Sequence, residues 1–141
     1  MHNLVLDTNV VVSACISEFA PPGKIIDELF LGDRVNWCVS IEVFAEYNEV
    51  LSRDKFLKIK GFTRNAQKFL QYVAEFGLWF EPEIKFTESP DTDDNIFLDL
   101  AFVASADFII TGNLKDFPTP HFQNIPVVSP ADYWNNFRER K

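Results

Sequence analysis

The stretch DTDDNIFLDLAFVA, residues 91–104, sets four carboxylates, Asp91, Asp93, Asp94 and Asp99, into nine positions and then turns almost wholly apolar. Like charges held this close raise one another's pKa and cost stability unless something positive stands among them, which leaves a helix N-terminus, a basic side chain or a metal ion. Three further acids stand at telling places: Asp7 closes the apolar run NLVLD, Glu46 sits inside IEVFAEYNEVL, and Asp116 falls in NLKDF. No basic residue lies close in sequence to Asp7, Glu46 or Asp94 to offset their charge. Carboxylate oxygens without thiolates or imidazoles select Mg²⁺ or Mn²⁺. An ion held that way keeps several waters and suits phosphodiester hydrolysis. His2 and His121 are single, and each reads as a structural or exposed residue and not as a ligand.

For such acids to meet, the chain must carry them to one place. NLVLD (3–7) and VNWCVS (35–40) have the apolar, β-branched character of buried strands, as do the segments at 108–111 and 125–128, with a shorter strand in LWFEP. Between them lie helical patterns. KIIDELFLG closes at Gly32 after the punctuation of Pro21, Pro22 and Gly23; IEVFAEYNEVL (41–51) carries Ile41, Phe44 and Ala45 on one face with Ser40 as N-cap; TRNAQKFLQYVAEFG (63–77) closes at Gly77. NVVVSAC either continues the first strand or turns into a helix, and PADYWNNF forms a last helix with Pro130 in its first turn. Short apolar strands alternating with helices predict an α/β fold with a parallel sheet covered on both faces.

In such sheets ligands bind at the carboxyl ends of the strands, where the strand order reverses. Asp7 ends the first strand, and Asn113 and Asp116 follow FIIT, so the two ends share a pocket if those strands are neighbours. Asp107 precedes its strand and reads as structural, at the opposite edge. Glu42, Glu46 and Glu49 share one helix face, a solvated stripe unless Glu46 reaches the sheet. Asp94 lies on the face of Leu98 and Ala101, in the positive first turn of its helix; Asp93 reads as the cap, and Asp99 points elsewhere, beside Asn95.

The 141 residues fit one domain, 1–141, able to bury roughly two thirds of its unfolded surface. Cys15 and Cys38 lack metal-type spacing and read as buried apolar residues of a reducing compartment. The opening MHNLVLD has no signal-peptide pattern and no apolar run approaches the roughly 20 residues of a membrane span, so a cytoplasmic protein is expected. A net charge of −8 argues against nucleic acid as a partner, yet RDKFLKIKGFTRNAQK (53–68) holds six basic residues against one acid. That segment is either a solvated surface or a phosphate-contacting patch.

At these residues the sequence resembles the PIN-domain family, and within it the members described as toxin components of toxin–antitoxin pairs. LVLDTNVVVSA resembles the family's opening strand and first acid, SIEVFAEYNEVLSRDKF its second block with Glu46 as the acid, DTDDNIFLDLAFVASADFIITGN its third with Asp94, and IPVVSPADYW its closing strand and helix. The resemblance runs nearly end to end. It implies a Rossmann-like three-layer α/β/α sandwich, Mg²⁺ or Mn²⁺ held by Asp7, Glu46, Asp94 and Asp116, and cleavage of single-stranded RNA. It also implies a homodimer and a small antitoxin partner that occupies the cleft. Many relatives carry Asp at the position of Asn113; others pair Asn with an acid three residues on, as NLKDF does with Asp116. Thr111 resembles the family's hydroxyl position beside the ion, and Asn113 and Asn9 are expected in the same polar surround. A catalytically inactive PIN-like module that binds RNA or protein is the alternative. A phosphoacceptor module would want an acidic pair directly after the first strand and a Lys after the last, which IPVVSP lacks, and a haloacid-dehalogenase-type phosphatase would want Asp where Asn9 stands.

Overall fold

The structure, a computed structural model, describes residues 1–140. Six strands form one sheet: β1 (His2–Leu6), β2 (Val35–Val39), β3 (Leu78–Trp79), β4 (Phe108–Ile110), β5 (His121–Phe122) and β6 (Ile125–Val128). Their spatial order is β3-β2-β1-β4-β6-β5. All pairings are parallel except the edge strand β5, which the sequence did not signal and which runs antiparallel to β6. Leu4, Val5 and Leu6 are all fully buried, as are Trp37, Cys38 and Val39. Successive strand side chains point to opposite faces, so both faces of the sheet are covered.

The helices are α1 (Thr8–Ile16), α2 (Pro21–Lys24), α3 (Ile41–Leu51), α4 (Phe62–Phe76), α5 (Asn95–Ala104) and α6 (Pro130–Asp132). The chain after Asp7 thus takes the helical branch left open by NVVVSAC. Pro21 and Pro22 do not merely interrupt: they begin α2, where the missing N–H groups would have had no partner. That helix continues through a wider turn at Ile25–Phe30, with Leu31 N–H donating to Ile26 O. Ser40 caps α3, its hydroxyl accepting from Val43 N–H at 3.1 Å, and Ser129 caps α6 by accepting from Asp132 N–H.

Three local expectations need correction. On α3 the buried positions are Val43, Tyr47 and Leu51, whereas Ile41 is 74% exposed. The helix is turned by Tyr47, whose ring packs against Trp37, Phe69 and Phe97 and whose hydroxyl donates to Leu6 O at 2.5 Å. At the start of α5 the capping acid is Asp91, not Asp93: its carboxylate accepts from Asp93 N–H at 3.0 Å and opens a tight turn over Thr92–Asp94. Asp99 is more buried than Asp94, because the loop before α5 folds over it and Phe86 N–H donates to its carboxylate at 2.7 Å.

Candidate metal centre

Strands β1 and β4 are neighbours, with Leu6 opposite Ile110, and the chain leaves β1 toward β2 on one side while β4 lies on the other. Their carboxyl ends therefore form the switch point. A cleft of about 330 Å³ opens there, and its lining includes Asp7, Asn9, Glu46, Asp91, Asp94 and Asp116.

Each acid is held by its own element. Asp7 is the residue after β1; its backbone N–H donates to Ile110 O at 2.9 Å, and its carboxylate accepts the Thr111 hydroxyl at 2.8 Å. Glu46 precedes Tyr47, so the buried Tyr47–Leu6 bond fixes α3 beside Asp7; the Thr8 hydroxyl then donates to the Glu46 carboxylate at 3.1 Å. Asp94 ends the tight turn into α5. Asp116 closes a short turn at Leu114–Asp116 after β4, and the Asn113 side-chain amide donates to its carboxylate. The Ser89 hydroxyl donates to Asp116 O while Asn95 accepts from Ser89 N–H at 2.9 Å, which ties the loop before α5 to the loop after β4.

One carboxylate oxygen each from Asp91, Asp94 and Asp116 lie within 4.8 Å of one another. At that range two ionised groups repel by about 1–3 kcal/mol at effective dielectrics of 80 to 20. Two acids of the cleft, Asp94 and Asp7, hold their protons above the ordinary range. Burial pushes the Asp94 carboxyl up to about 7 from an ordinary 3.8, with Asp7, Asp91, Asp116 and Glu46 adding repulsion. Burial likewise pushes Asp7 up to about 6, against the lowering hydrogen bonds of Thr111 and Thr8. An all-oxygen donor set with an uncompensated negative charge is the chemistry of a hard divalent cation site. The donors present fit such an ion.

Of the residues singled out from sequence, Asp7, Glu46, Asp94, Asp116 and Asn9 line the cleft. Thr111 is fully buried behind it, its hydroxyl committed to Asp7 and accepting from Asn113 N–H at 3.0 Å. Asn9 accepts from Gly112 N–H at 3.1 Å and joins α1 to the loop after β4. Asp107 lies at the other end of β4, bonded to Asn3 N–H at 2.7 Å, as its place before the strand predicts. His2 donates or accepts with the Tyr133 hydroxyl at 2.8 Å and is structural. Asp91 is the residue that sequence reasoning left out. Its signal was present: an acid three residues before Asp94 across a turn-forming Thr-Asp pair lies on the same side of that turn.

The family profile described as "PIN domain" matches residues 3–115. A protein described as "Uncharacterized protein MJ1680", from Methanocaldococcus jannaschii, is 33% identical over 145 aligned positions, covering 96% of this chain and 92% of that protein. No solved structure matches. PIN domains are generally metal-dependent nucleases, and the acidic cleft lies inside the matched span for all but Asp116. With the mostly parallel sheet, the acids at its switch point and a match over most of the length, the chain belongs to the PIN-domain family.

Proposed function

We propose that this protein, a single PIN domain over 1–141, is a metal-dependent endoribonuclease that cleaves single-stranded RNA. The observation that carries this reading is the convergence of Asp7, Glu46, Asp91, Asp94 and Asp116, from four separate elements, on one cleft where Asp7 and Asp94 hold protons well above their ordinary range. Asp94 and Asp116, with Asp91 within the same reach, would hold Mg²⁺ or Mn²⁺, and Asp7 and Glu46 of the same cleft would complete the set. Such an ion acts as a Lewis acid toward a phosphodiester and lowers the pKa of an attacking water. The chain's own part is positional. Thr111 orients Asp7, Thr8 orients Glu46, and Asn113 orients Asp116. Asn9 secures the floor through Gly112.

The resemblance to toxin components supports a finer reading: a toxin of a toxin–antitoxin pair, cytoplasmic, homodimeric, restrained by a small antitoxin protein that covers the cleft. No helix of the described residues is long and apolar enough to cross a membrane. Asp116 lines the cleft, which weighs for the catalytic reading over an inactive RNA- or protein-binding module.

The test is cleavage of a labelled single-stranded RNA with Mg²⁺ or Mn²⁺, beside EDTA, single-stranded DNA and duplex RNA. Cleavage that needs the ion and is lost in Asp7→Asn, Glu46→Gln and Asp94→Asn is the expected result. Binding without cleavage under every metal would leave the inactive module as the answer.

A further inference from the structure

The basic segment 53–68 does not act as one patch. Arg53 is paired with Glu49 at 2.8 Å, and Lys68 lines a separate cavity with Cys15 and Asp27. The span from Lys55 to Arg64 remains, with four cations, Lys55, Lys58, Lys60 and Arg64, and no acid. All four are exposed, and none has an acidic partner within ion-pair distance among the described residues. Lys55 is the one cation lining the acidic cleft. Phe56 lines both that cleft and the next concavity, and Leu57 and Thr63 line both this one and a third, which also contains Lys60 and Arg64. The surface therefore runs without interruption from the acids to Arg64. It is also held rigidly: Phe56 and Phe62, at the two ends of the loop, are buried and stacked with ring centres 4.5 Å apart.

We infer that this track, Lys55 to Arg64, binds the flank of a single-stranded nucleic acid whose scissile phosphate lies in the acidic cleft. The inference rests on the nuclease reading and adds where the substrate runs. A chain of net charge −8 repels a polyphosphate over most of its surface, so association needs a local excess of cations. The track supplies one that starts at the cleft wall, as a continuous strand requires. Leu57, 65% exposed between the cations, offers an apolar surface to an unstacked base. An acidic protein covering the cleft would match the charge as well, but Leu57 held open between cations suits base against side chain, and the binding experiment separates the two.

The experiment is equilibrium binding of a fluorescent 15-nucleotide single-stranded RNA in EDTA across a salt series. The proteins are the parent, the triple variant Lys58→Gln, Lys60→Gln, Arg64→Gln, and the control Lys68→Gln. Each phosphate contact on a single strand contributes a slope of about −0.7 in log K against log salt, so the triple variant should bind more weakly and with a slope shallower by about 2, while the control keeps the parent's slope. The substituted residues are exposed, and matching melting curves confirm the fold. An unchanged slope in the triple variant, or no binding by the parent at low salt, overturns the track. So does a triple variant that binds RNA like the parent but loses affinity for polyglutamate, which would make the surface a protein-docking one. Because no metal is present, binding with the expected slopes in a protein that cleaves nothing would sink the nuclease reading and leave the track standing; cleavage by the parent with unaltered variant slopes would do the reverse.

Discussion

Replacing Asp94 by Asn separates a metal ligand from a structural acid. Asp94 faces Asp7, Asp91, Asp116 and Glu46, and its carboxyl stands near 7 instead of 3.8. A folded-state value raised above the unfolded one means that the native state binds the proton more tightly. Asp94 therefore begins to destabilise the fold as pH rises above 3.8, and the effect is complete above 7. Taken whole, that displacement would correspond to about 4 kcal/mol; Asp94 is partly open to water, so screening reduces it to about 1–2 kcal/mol. Asn matches the neutral carboxyl in shape and cannot ionise. At pH 8 and without metal, the variant should gain about 1–2 kcal/mol, a rise in melting temperature of roughly 3–8 °C for a chain of this size. At pH 5 the native parent still holds the proton while the unfolded chain has released it, so the variant's advantage should shrink to roughly a third of that at pH 8. Added Mn²⁺ reverses the order. An ion at a hundred times its dissociation constant stabilises the parent by about 2.7 kcal/mol, and the variant should lose most of that gain. Four melting curves, with and without Mn²⁺ at each pH, decide the matter. If Asp94→Asn lowers the metal-free melting point at pH 8 and Mn²⁺ still raises it as in the parent, Asp94 is a structural cap and the metal site is misassigned.

The metal-free parent should lose stability as pH rises from about 4 to about 7, the range in which the unfolded chain has released the protons that native Asp7 holds to about 6 and native Asp94 to about 7, and saturating Mn²⁺ should abolish the decline; melts across that window check it. Asp91→Asn keeps an acceptor for Asp93 N–H and so keeps the fold, but it should weaken Mn²⁺ binding about tenfold, a typical cost for a group beside a metal, as read by calorimetric titration. Asp99→Ala should cost about 1–2 kcal/mol in urea melts, because it leaves Phe86 N–H unpaired at a half-buried position, while the Mn²⁺-induced shift stays unchanged. Thr111→Val removes the donor to a buried carboxylate and should lower stability at pH 8 by about 1–2 kcal/mol while moving the Asp7 midpoint further up, measurable by carboxyl carbon NMR.

That β1, β2, β4 and β6 run parallel was legible because each is a short apolar run of the kind buried on both faces, whereas their order across the sheet was not. The convergence of Asp7 with the loop after β4 followed from the same rule, which places function at the carboxyl ends of neighbouring strands. Less could be read where the deciding contact is distant in sequence. The buried face of α3 is set by Tyr47 reaching Leu6 O, a bond across 41 positions that no local periodicity reports. Charge alone did not distinguish Asp99 from Asp94, since both precede or join an apolar run; what separates them is the loop near Phe86, which covers one and not the other. The exchange of Asp93 for Asp91 at the cap is a smaller failure. Both are good capping residues, and the tight turn before the helix moves the cap upstream by two positions.

The cleft draws its acids from residues 7 to 116, and β4, which supports the last of them, is itself flanked by β6 at Ile125–Val128. No fragment of the chain that stops short of β4 contains the assembled cleft. During synthesis Asp7 and Glu46 emerge long before Asp94 and Asp116 and remain ordinary solvated carboxylates, with no reason to gather a cation. Their mutual repulsion is felt only once β1 and β4 stand side by side, so the demand for a cation belongs to the assembled sheet and to no shorter part of it.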